Sequence, residues 1–378
     1  MFSTSSTTYA AAKFPCCRCL SAVSADTTQH RFVLGTGGAR EQNEVQVLDF
    51  DEESNRLGCV GRVAHAGEVF ALAPSPADAS TPRCGGPSRT RATTAAGRRA
   101  RRWRAVARAA GPRALAGAAT AGPCRSLAWS PRDHGAPNAL AALDGAKLRF
   151  YDVAASAEPT LAVDVAAPFG GARATAASWS PHDAAEVHVA SRDGAVRAYD
   201  ARSSAPPRLV VAGDGGPCFA VDSNPNKPGA VSTAHADGTV RFYDLRASGG
   251  APLKILRGHD GWCGALEYNK YHDQLLASGG SDKLVNLWRV SSISSAPLLE
   301  LDLDDAKGDG ASSAVTSSAG TAAPDAPDVK VKDYDLHDDA VVAVAWSSCD
   351  AWVFASLSFD GRVLLNHVPS PEKYKILL

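Results

Sequence analysis

Short strands of alternating polar and apolar residues recur along the chain in pairs, and each pair is joined by a tight polar turn. The clearest pair consists of residues 187–191 and 196–200, with Asp193-Gly194 between them. Glycine accepts a positive φ at little cost, so Asp-Gly favours a hairpin. The turn returns as Asp237-Gly238 and as Asp282-Lys283, at intervals of 44 and 45 residues. The pattern predicts a repeated unit of antiparallel strands.

Each unit opens with a strand that ends in a turn resembling Trp-Ser-Pro, as at Trp129, Trp179 and Trp346. Its third strand ends in an aromatic residue followed by an acid. A repeat of about 40–45 residues with this order of strands and turns is typical of WD40 propeller blades. We therefore predict an all-β fold: a single, seven-bladed WD40 β-propeller over residues 1–378.

The second unit departs from this pattern. The first unit has strands at 31–36 and 45–50, but the second begins at His65 and then loses the alternation. We predict that this second blade is degenerate or disrupted. The remaining units are centred on Asp152, Asp200, Asp244, Trp288 and Asn366. Either the N-terminal segment 9–20 or the C-terminal segment 374–378 is expected to close the ring.

The Arg/Ala-rich stretch 80–122 explains the loss of pattern and admits three interpretations. It contains ten arginines, and no acidic residue lies between Asp78 and Asp133. One interpretation is a basic patch for RNA or anionic lipid, although interleaved aromatics and an RNA-binding signature are missing. The second is a low-complexity insertion. The third is a retained intron or a shifted reading frame, since GC-rich codons read out of frame yield Arg, Ala, Gly and Pro.

A second low-complexity segment, 301–331, is rich in Asp, Ser, Ala and Gly and has almost no large apolar residue. We predict a flexible acidic loop between the last two blades. It is either a solvated insertion or a loop that binds a partner.

Charge and motif content argue against an enzyme. The net charge of −1 provides no global field for nucleic acid, so nucleic-acid partners are not expected. P-loop, GxGxxG, HExxH and GxSxG motifs are absent, and no cofactor or small-molecule substrate is indicated. The Cys16-Cys17-Arg18-Cys19 cluster has no partner pair, so we predict no metal site.

Four residues of one unit form the best candidate for a buried hydrogen-bond network within a blade: His259, Ser278, Asp282 and Trp288. The turn acids of other units, Asp193, Asp237 and Asp360, repeat the position of Asp282. A catalytic residue is usually needed once, so this repetition indicates that these acids build blades. We predict a structural role for all seven residues and no catalytic residue.

Several short sequence motifs of this chain that are not part of the WD40 consensus indicate a family resemblance. In the last unit they run from Trp346 to Arg362, continue through Asn366–Pro369 and end at Lys373–Leu378. Others lie at 48–53, 65–68, 179–182, 224–227, 272–275 and 290–295. In these residues the chain resembles the EARP and GARP complex-interacting protein family, over nearly its whole length except 80–122.

This resemblance implies a non-catalytic scaffold that binds the EARP and GARP vesicle-tethering complexes. It would support endosomal recycling and endosome-to-Golgi traffic. It would be cytoplasmic, lie peripherally at the trans-Golgi network and endosomes, and reach membranes only through its partners. Trp262 and the tail residues Tyr374 and Leu378 are the candidate partner-binding residues.

An alternative function is that of a substrate receptor of a cullin-RING ubiquitin ligase. Such propellers carry a Trp/Tyr-Asp-x-Arg box at the end of a third strand. The segments 199–202 and 243–246 fit this box, which makes Arg202 and Arg246 candidate docking residues.

Overall fold

The structure is a computed structural model. It describes residues 6–11, 16–38, 43–65, 67–76, 82–85, 124–131, 139–155, 158–166, 170–214, 216–247, 250–295 and 328–377. Most of the Arg/Ala-rich stretch, most of the acidic segment and Leu378 lie outside these ranges.

The described elements are twenty-six strands, one short 3-10 turn (Ser291–Ile293) and one α-helix. The first thirteen strands are β1 (Thr7–Ala10), β2 (Cys16–Ala22), β3 (His30–Gly37), β4 (Asn43–Asp51), β5 (Arg56–His65), β6 (Ala71–Pro74), β7 (Pro82–Gly85), β8 (Ser126–Trp129), β9 (Ala139–Leu143), β10 (Lys147–Asp152), β11 (Leu161–Asp164), β12 (Ala174–Trp179) and β13 (Glu186–Ser191). The remaining elements are β14 (Val196–Asp200), β15 (Arg208–Val211), β16 (Cys218–Ser223), β17 (Ala230–His235), β18 (Thr239–Asp244), β19 (Lys254–Arg257), β20 (Cys263–Tyr268), β21 (Leu275–Gly280), β22 (Val285–Arg289), β23 (Val329–Tyr334), β24 (Val341–Trp346), β25 (Val353–Ser358), β26 (Arg362–His367) and α1 (Ser370–Leu377).

These strands form a β-propeller, but the prediction of seven blades is wrong for the described part of the chain. Six antiparallel four-stranded sheets are present there. We number them by ring position: blade 1 (β2–β5), blade 3 (β8–β11), blade 4 (β12–β15), blade 5 (β16–β19), blade 6 (β20–β23) and blade 7 (β24–β26 with β1).

Within the described ranges, the second ring position holds only the two-stranded sheet of β6 and β7. Strand β6 contacts β2 on one side and β8 on the other, so the innermost layer still has seven strands. Cys19 Sγ donates to the Val69 carbonyl at 3.4 Å, and Trp129 Nε1 donates to the Ala73 carbonyl at 3.1 Å. The short sheet therefore fills the gap at the axis, where blade 1 and blade 3 need a packing partner.

The N-terminal strand closes the ring. Strand β1 pairs antiparallel with β26, with Thr7 opposite Leu365, and becomes the outer strand of blade 7. The other candidate for this closure, the C-terminal tail, forms α1 instead. Arg289 Nη1 and Glu372 Oε1 are 2.8 Å apart in a buried ion pair, which joins α1 to blade 6.

Apolar residues of neighbouring blades form the core together. Phe150 of blade 3 meets Trp179 of blade 4 edge to face, with ring centroids 5.9 Å apart. At the closure, Phe32 and Leu34 of blade 1 share a buried cluster with Leu357 and Leu365 of blade 7. A single blade cannot bury its apolar faces alone, so the ring is the unit of stability.

The ring has two different faces. Hydrogen bonds join Thr175 Oγ1 to the Cys218 carbonyl (2.7 Å) and Ser178 Oγ to Asp222 Oδ1 (3.3 Å), so β12 and β16 run in the same direction. In such an array the turn between the second and third strands lies at the same end as the entry into the next blade. We call this end the hairpin face and the other end the opposite face.

Two details affect the sequence predictions. Residues 329–331, which we assigned to the acidic loop, form the beginning of β23. Among the described residues, no helix is long and apolar enough to cross a bilayer.

Candidate functional site

Hydrogen bonds connect the four predicted network residues of blade 6 in a chain. His259 Nδ1 lies 3.0 Å from both carboxylate oxygens of Asp282, and His259 Nε2 lies 2.8 Å from Ser278 Oγ. Trp288 Nε1 donates to the same Ser278 oxygen at 2.8 Å. The chain His259–Ser278–Trp288 thus ties the entry loop of the blade to its second and third strands.

Blade 7 repeats this hydrogen-bond chain, but an asparagine takes the place of the tryptophan as the donor to the serine. His337 Nε2 lies 2.8 Å from Ser356 Oγ, and Asn366 Nδ2 donates to that oxygen at 2.9 Å. Asp360 accepts a hydrogen bond from Ser358 Oγ at 2.5 Å instead of reaching the histidine. His337 Nδ1 is buried without a hydrogen-bond partner. Our sequence analysis missed His337 and Ser356, although their spacing of nineteen matches that of His259 and Ser278.

The histidine pKa values reflect this difference. Burial lowers the pKa of His337 to about 4, and the Asp360 charge only partly opposes this. Burial also lowers the pKa of His259, but the charge and hydrogen bond of Asp282 act against the shift. Both imidazoles are therefore neutral at neutral pH.

The other two predicted turn acids bond within their own hairpins. Asp193 accepts from Ser191 Oγ, from the Ala195 amide (3.0 Å) and from Arg197 Nη1 (3.4 Å). Asp237 accepts from Thr239 Oγ1 at 2.6 Å and from Arg241 Nη2 at 2.8 Å, and its pKa falls to about 2 despite the opposing effect of burial. These contacts are local to each hairpin.

The hairpin face carries exposed aromatic side chains near the axis. Trp262, at the entry of β20, is 39% exposed and packs edge to face on Phe219 of the neighbouring blade, 6.0 Å away between ring centroids. Gly264 leaves room for the indole, because a Cβ there would lie 2.4 Å from Trp262 Cζ3. The Trp262 ring is thus held by two blades while one side remains accessible.

A second aromatic site lies on the same face. The Arg18 guanidinium lies over the rings of both Phe70 and Phe359, 5.3 Å from each centroid. These residues come from blade 1, the second ring position and blade 7. Sequence analysis considered only the cysteines around Arg18. The usable signal was a single charged residue within the otherwise uncharged segment Cys16–Ala22.

Three arginines, Arg125, Arg173 and Arg192, meet on the hairpin face between blades 3 and 4. The Arg192 amide donates to the Arg173 carbonyl at 3.1 Å, and a Cβ on Gly145 would lie 3.1 Å from Arg125 Nε. Burial and the charges of the other two lower the pKa of Arg125. No ion pair joins any of the three to an acid in the ranges that the structure describes. The cluster is therefore a region of uncompensated positive charge.

Three other predicted docking residues, Arg202, Arg246 and Tyr374, lie on the opposite face, away from Trp262. Arg202 donates from Nε to Asp200 Oδ1 and from Nη2 to Asp200 Oδ2, both at 3.1 Å. Arg246 makes the same pair of hydrogen bonds with Asp244, both at 3.0 Å. Tyr374 is exposed on α1. Leu378 lies outside the described residues. The structure thus separates the predicted docking residues into two groups on different faces.

Comparison with protein families decides the assignment. The model of the EIPR1 beta-propeller family matches residues 3–288, and a WD domain, G-beta repeat, matches residues 329–365. The chain belongs to the EIPR1 β-propeller family. This confirms the resemblance drawn from the sequence, and with it the WD40 fold, which is that of a generally non-catalytic scaffold family.

Individual relatives of this EIPR1-family chain match over a shorter stretch. EARP and GARP complex-interacting protein 1 of Rattus norvegicus is 42% identical over 127 residues, which cover 34% of this chain and 32% of the relative. EARP-interacting protein 1 of Caenorhabditis elegans is 36% identical over 125 residues, covering 33% and 32%. WD repeat-containing protein DWA2 of Arabidopsis thaliana is 34% identical over 117 residues, covering 31% and 29%. The matched stretch spans about a third of the length of these relatives.

Proposed function

We propose that this chain is a non-catalytic adaptor that binds the EARP and GARP vesicle-tethering complexes. It would support endosomal recycling and endosome-to-Golgi traffic, from the cytoplasm and peripherally at the trans-Golgi network and endosomes. The match of the EIPR1 beta-propeller family model to residues 3–288 is the observation that carries this proposal. The names of the rat and nematode relatives support the same partners.

The hairpin face is the favoured docking surface. Aromatic and arginine side chains dominate the binding energy of protein interfaces, especially where neighbouring groups hold them in place. Trp262 is held by Phe219, and Arg18 is held by two phenylalanines. Arg125, Arg173 and Arg192 add positive charge without acidic partners among the described residues. A tethering subunit with an apolar anchor and a nearby acidic segment would fit this face.

The proposal is tested by affinity purification of the full-length chain from its own cells, followed by quantification of tethering-complex subunits. We expect Trp262→Ala to reduce their recovery by about tenfold or more, as for an interface hot spot. The side chain is partly exposed and outside the blade cores, so the variant should remain folded. Its thermal unfolding midpoint verifies this.

Tyr374→Ala is the matched control, because it removes an exposed aromatic ring from the opposite face. Retention by Tyr374→Ala together with loss by Trp262→Ala places docking on the hairpin face. The reverse result moves docking to the opposite face and leaves the adaptor function intact. If the unsubstituted chain recovers no tethering subunit, the proposed function is wrong.

The Tyr-Asp-x-Arg boxes support a second candidate, a substrate receptor of a cullin-RING ligase. The boxes occupy equivalent places on adjacent blades, and side chains of Arg202 and Arg246 are 76% and 66% exposed. In this function, Arg202→Ala with Arg246→Ala would abolish recovery of ligase-adaptor subunits and leave tethering subunits unaffected. Recovery of no ligase component by the unsubstituted chain eliminates this candidate.

A further inference from the structure

A cluster of possible metal ligands lies at the seam between blade 7 and blade 1, on the opposite face. His30 begins β3, and Glu52 lies in the turn after β4. Asp350 lies in the turn between β24 and β25. One ligand atom from each of these three residues lies within 4.8 Å of the others. The three come from distant parts of the chain and meet only because the ring closes.

The orientation of the His30 ring favours ligation. Its Nδ1 lies 2.9 Å from Ser347 Oγ, while Nε2 faces Glu52 Oε1 at 2.5 Å. A hydrogen bond at one ring nitrogen that fixes the ring and leaves the other nitrogen for the ion is the usual arrangement of metal-binding histidines. Cys349 Sγ lies 3.3 Å from the same Ser347 oxygen and adds a possible sulfur ligand beside the cluster.

A second Ser–His–Glu group in the same molecule differs from the His30 cluster in having a basic partner for its glutamate. Between blades 4 and 5, His188 Nδ1 lies 2.9 Å from Ser223 Oγ and Nε2 lies 2.7 Å from Glu186 Oε1. There, Arg208 Nη2 supplies a positive charge to Glu186 Oε2 at 3.0 Å. At the His30 cluster, no described Lys or Arg lies within ion-pair distance of Glu52 or Asp350.

The charges at the seam therefore call for a cation. One proton shared by His30 Nε2 and Glu52 balances only one of the two carboxylates, and the Asp350 carboxylate has the Trp352 amide as its donor, at 2.8 Å, rather than a cation. A divalent ion can serve both carboxylates and the imidazole at once. Nitrogen and carboxylate ligands, with a thiol nearby, are a set that zinc accepts in tetrahedral coordination.

We propose that His30, Glu52 and Asp350 bind a zinc ion that joins the first and last blades. Zinc ligands at about 2.0–2.2 Å from the ion lie roughly 3.3 Å apart, so Glu52 must withdraw slightly from the imidazole on binding. Glu52 has an exposed side chain in a turn, which permits this movement. Zinc thereby strengthens the ring at its non-covalent closure, beside the pairing of β1 with β26.

The test uses the purified full-length chain, stripped with a chelator and titrated with Zn²⁺ by calorimetry. We expect one site that Glu52→Gln and Asp350→Asn each weaken by about tenfold or more, since loss of a mere second-shell partner typically costs 10–100-fold. We also expect Zn²⁺ to raise the thermal midpoint of the unsubstituted chain, and to raise it less in both variants.

Glu186→Gln is the matched control, because it alters the equivalent carboxylate beside His188, where Arg208 supplies the charge. It should leave Zn²⁺ affinity unchanged. Co²⁺ substitution gives a second measurement, because its visible spectrum reports a tetrahedral site independently of stability. The proposal is overturned if the unsubstituted chain shows no stoichiometric site, or if Glu52→Gln and Asp350→Asn bind Zn²⁺ as tightly as Glu186→Gln.

Discussion

Blades 6 and 7 build the same histidine–serine connection but complete it differently. In blade 6, Ser278 receives the indole N–H of Trp288, and Asp282 holds the second nitrogen of His259. In blade 7, Asn366 replaces the indole, and Asp360 stays within its own turn. His337 is therefore held at one nitrogen only.

The difference between blades 6 and 7 shows that the hydrogen-bond donor to the serine and the apolar packing of the blade can come from different residues. Asn366 supplies the same donor as Trp288 but very little apolar surface. Blade 7 recovers apolar contacts elsewhere, since Trp346 packs against Phe354 with ring centroids 4.9 Å apart. Blade 7 thus forms without the namesake tryptophan, with Asn366 as the donor and the Trp346–Phe354 pair in its core.

The largest effect on stability is expected from truncating the residues that donate to the blade serines, Trp288 in blade 6 and Asn366 in blade 7. Trp288→Ala should lower the free energy of unfolding by about 3–5 kcal/mol, because it removes a large buried ring and leaves a cavity. Asn366→Ala should cost about 1–3 kcal/mol, because the Asn366 amide no longer donates to Ser356 Oγ and that hydroxyl keeps only its hydrogen bond to His337. Urea denaturation followed by circular dichroism measures both. Equal losses would contradict the separation of packing from hydrogen bonding.

Acidification should distinguish the histidines. The pKa of His337 is about 4 in the folded chain and about 6.5 when unfolded. The contribution of His337 to the free energy of unfolding is fully present above pH 6.5. It falls as the pH drops towards 4, because only the unfolded chain then takes up the proton. The loss attributable to His337 should reach about 3 kcal/mol by pH 4, at about 1.36 kcal/mol per pKa unit.

His337→Gln should flatten this part of the pH–stability curve more than His259→Gln does. In blade 6, Asp282 opposes the depression of the histidine pKa, which reduces the proton uptake on unfolding. Denaturation midpoints measured between pH 7 and pH 4 test this difference. A steeper effect of His259→Gln would show that Asp282 does not favour the imidazolium.

The smallest effect concerns the turns of the two blades. Gly361 adopts φ +84° in blade 7, whereas the equivalent Lys283 of blade 6 adopts φ 69°. A side chain in this left-handed region costs about 1–2 kcal/mol, so Lys283→Gly should stabilise the chain by about 1 kcal/mol after the entropy of glycine is counted. Gly361→Lys should have the opposite sign. Thermal midpoints report both changes.

Sequence periodicity predicted much of blades 4 to 7, because their turns and strand ends recur at nearly constant spacing. It also identified the His259–Ser278–Asp282–Trp288 network, whose contacts the structure contains. The periodicity predicted seven blades, whereas the described part of the chain has six. At the second ring position β6 and β7 supply the inner layer, but the sequence after them lacks strand alternation. The periodicity did not find Arg18, because the contacts of that side chain come from two distant segments.

The amino-acid sequence by itself determined the β-propeller class and the family. Both depend on local turns, on the alternation of polar and apolar residues and on characteristic sequence motifs. Only the tertiary structure decided which segment closes the ring, which candidate docking residues share a face and which histidine and acidic side chains meet at the seam. Each of these depends on side chains that lie far apart along the chain. Their distances are set by the packing of neighbouring blades, which no local pattern records.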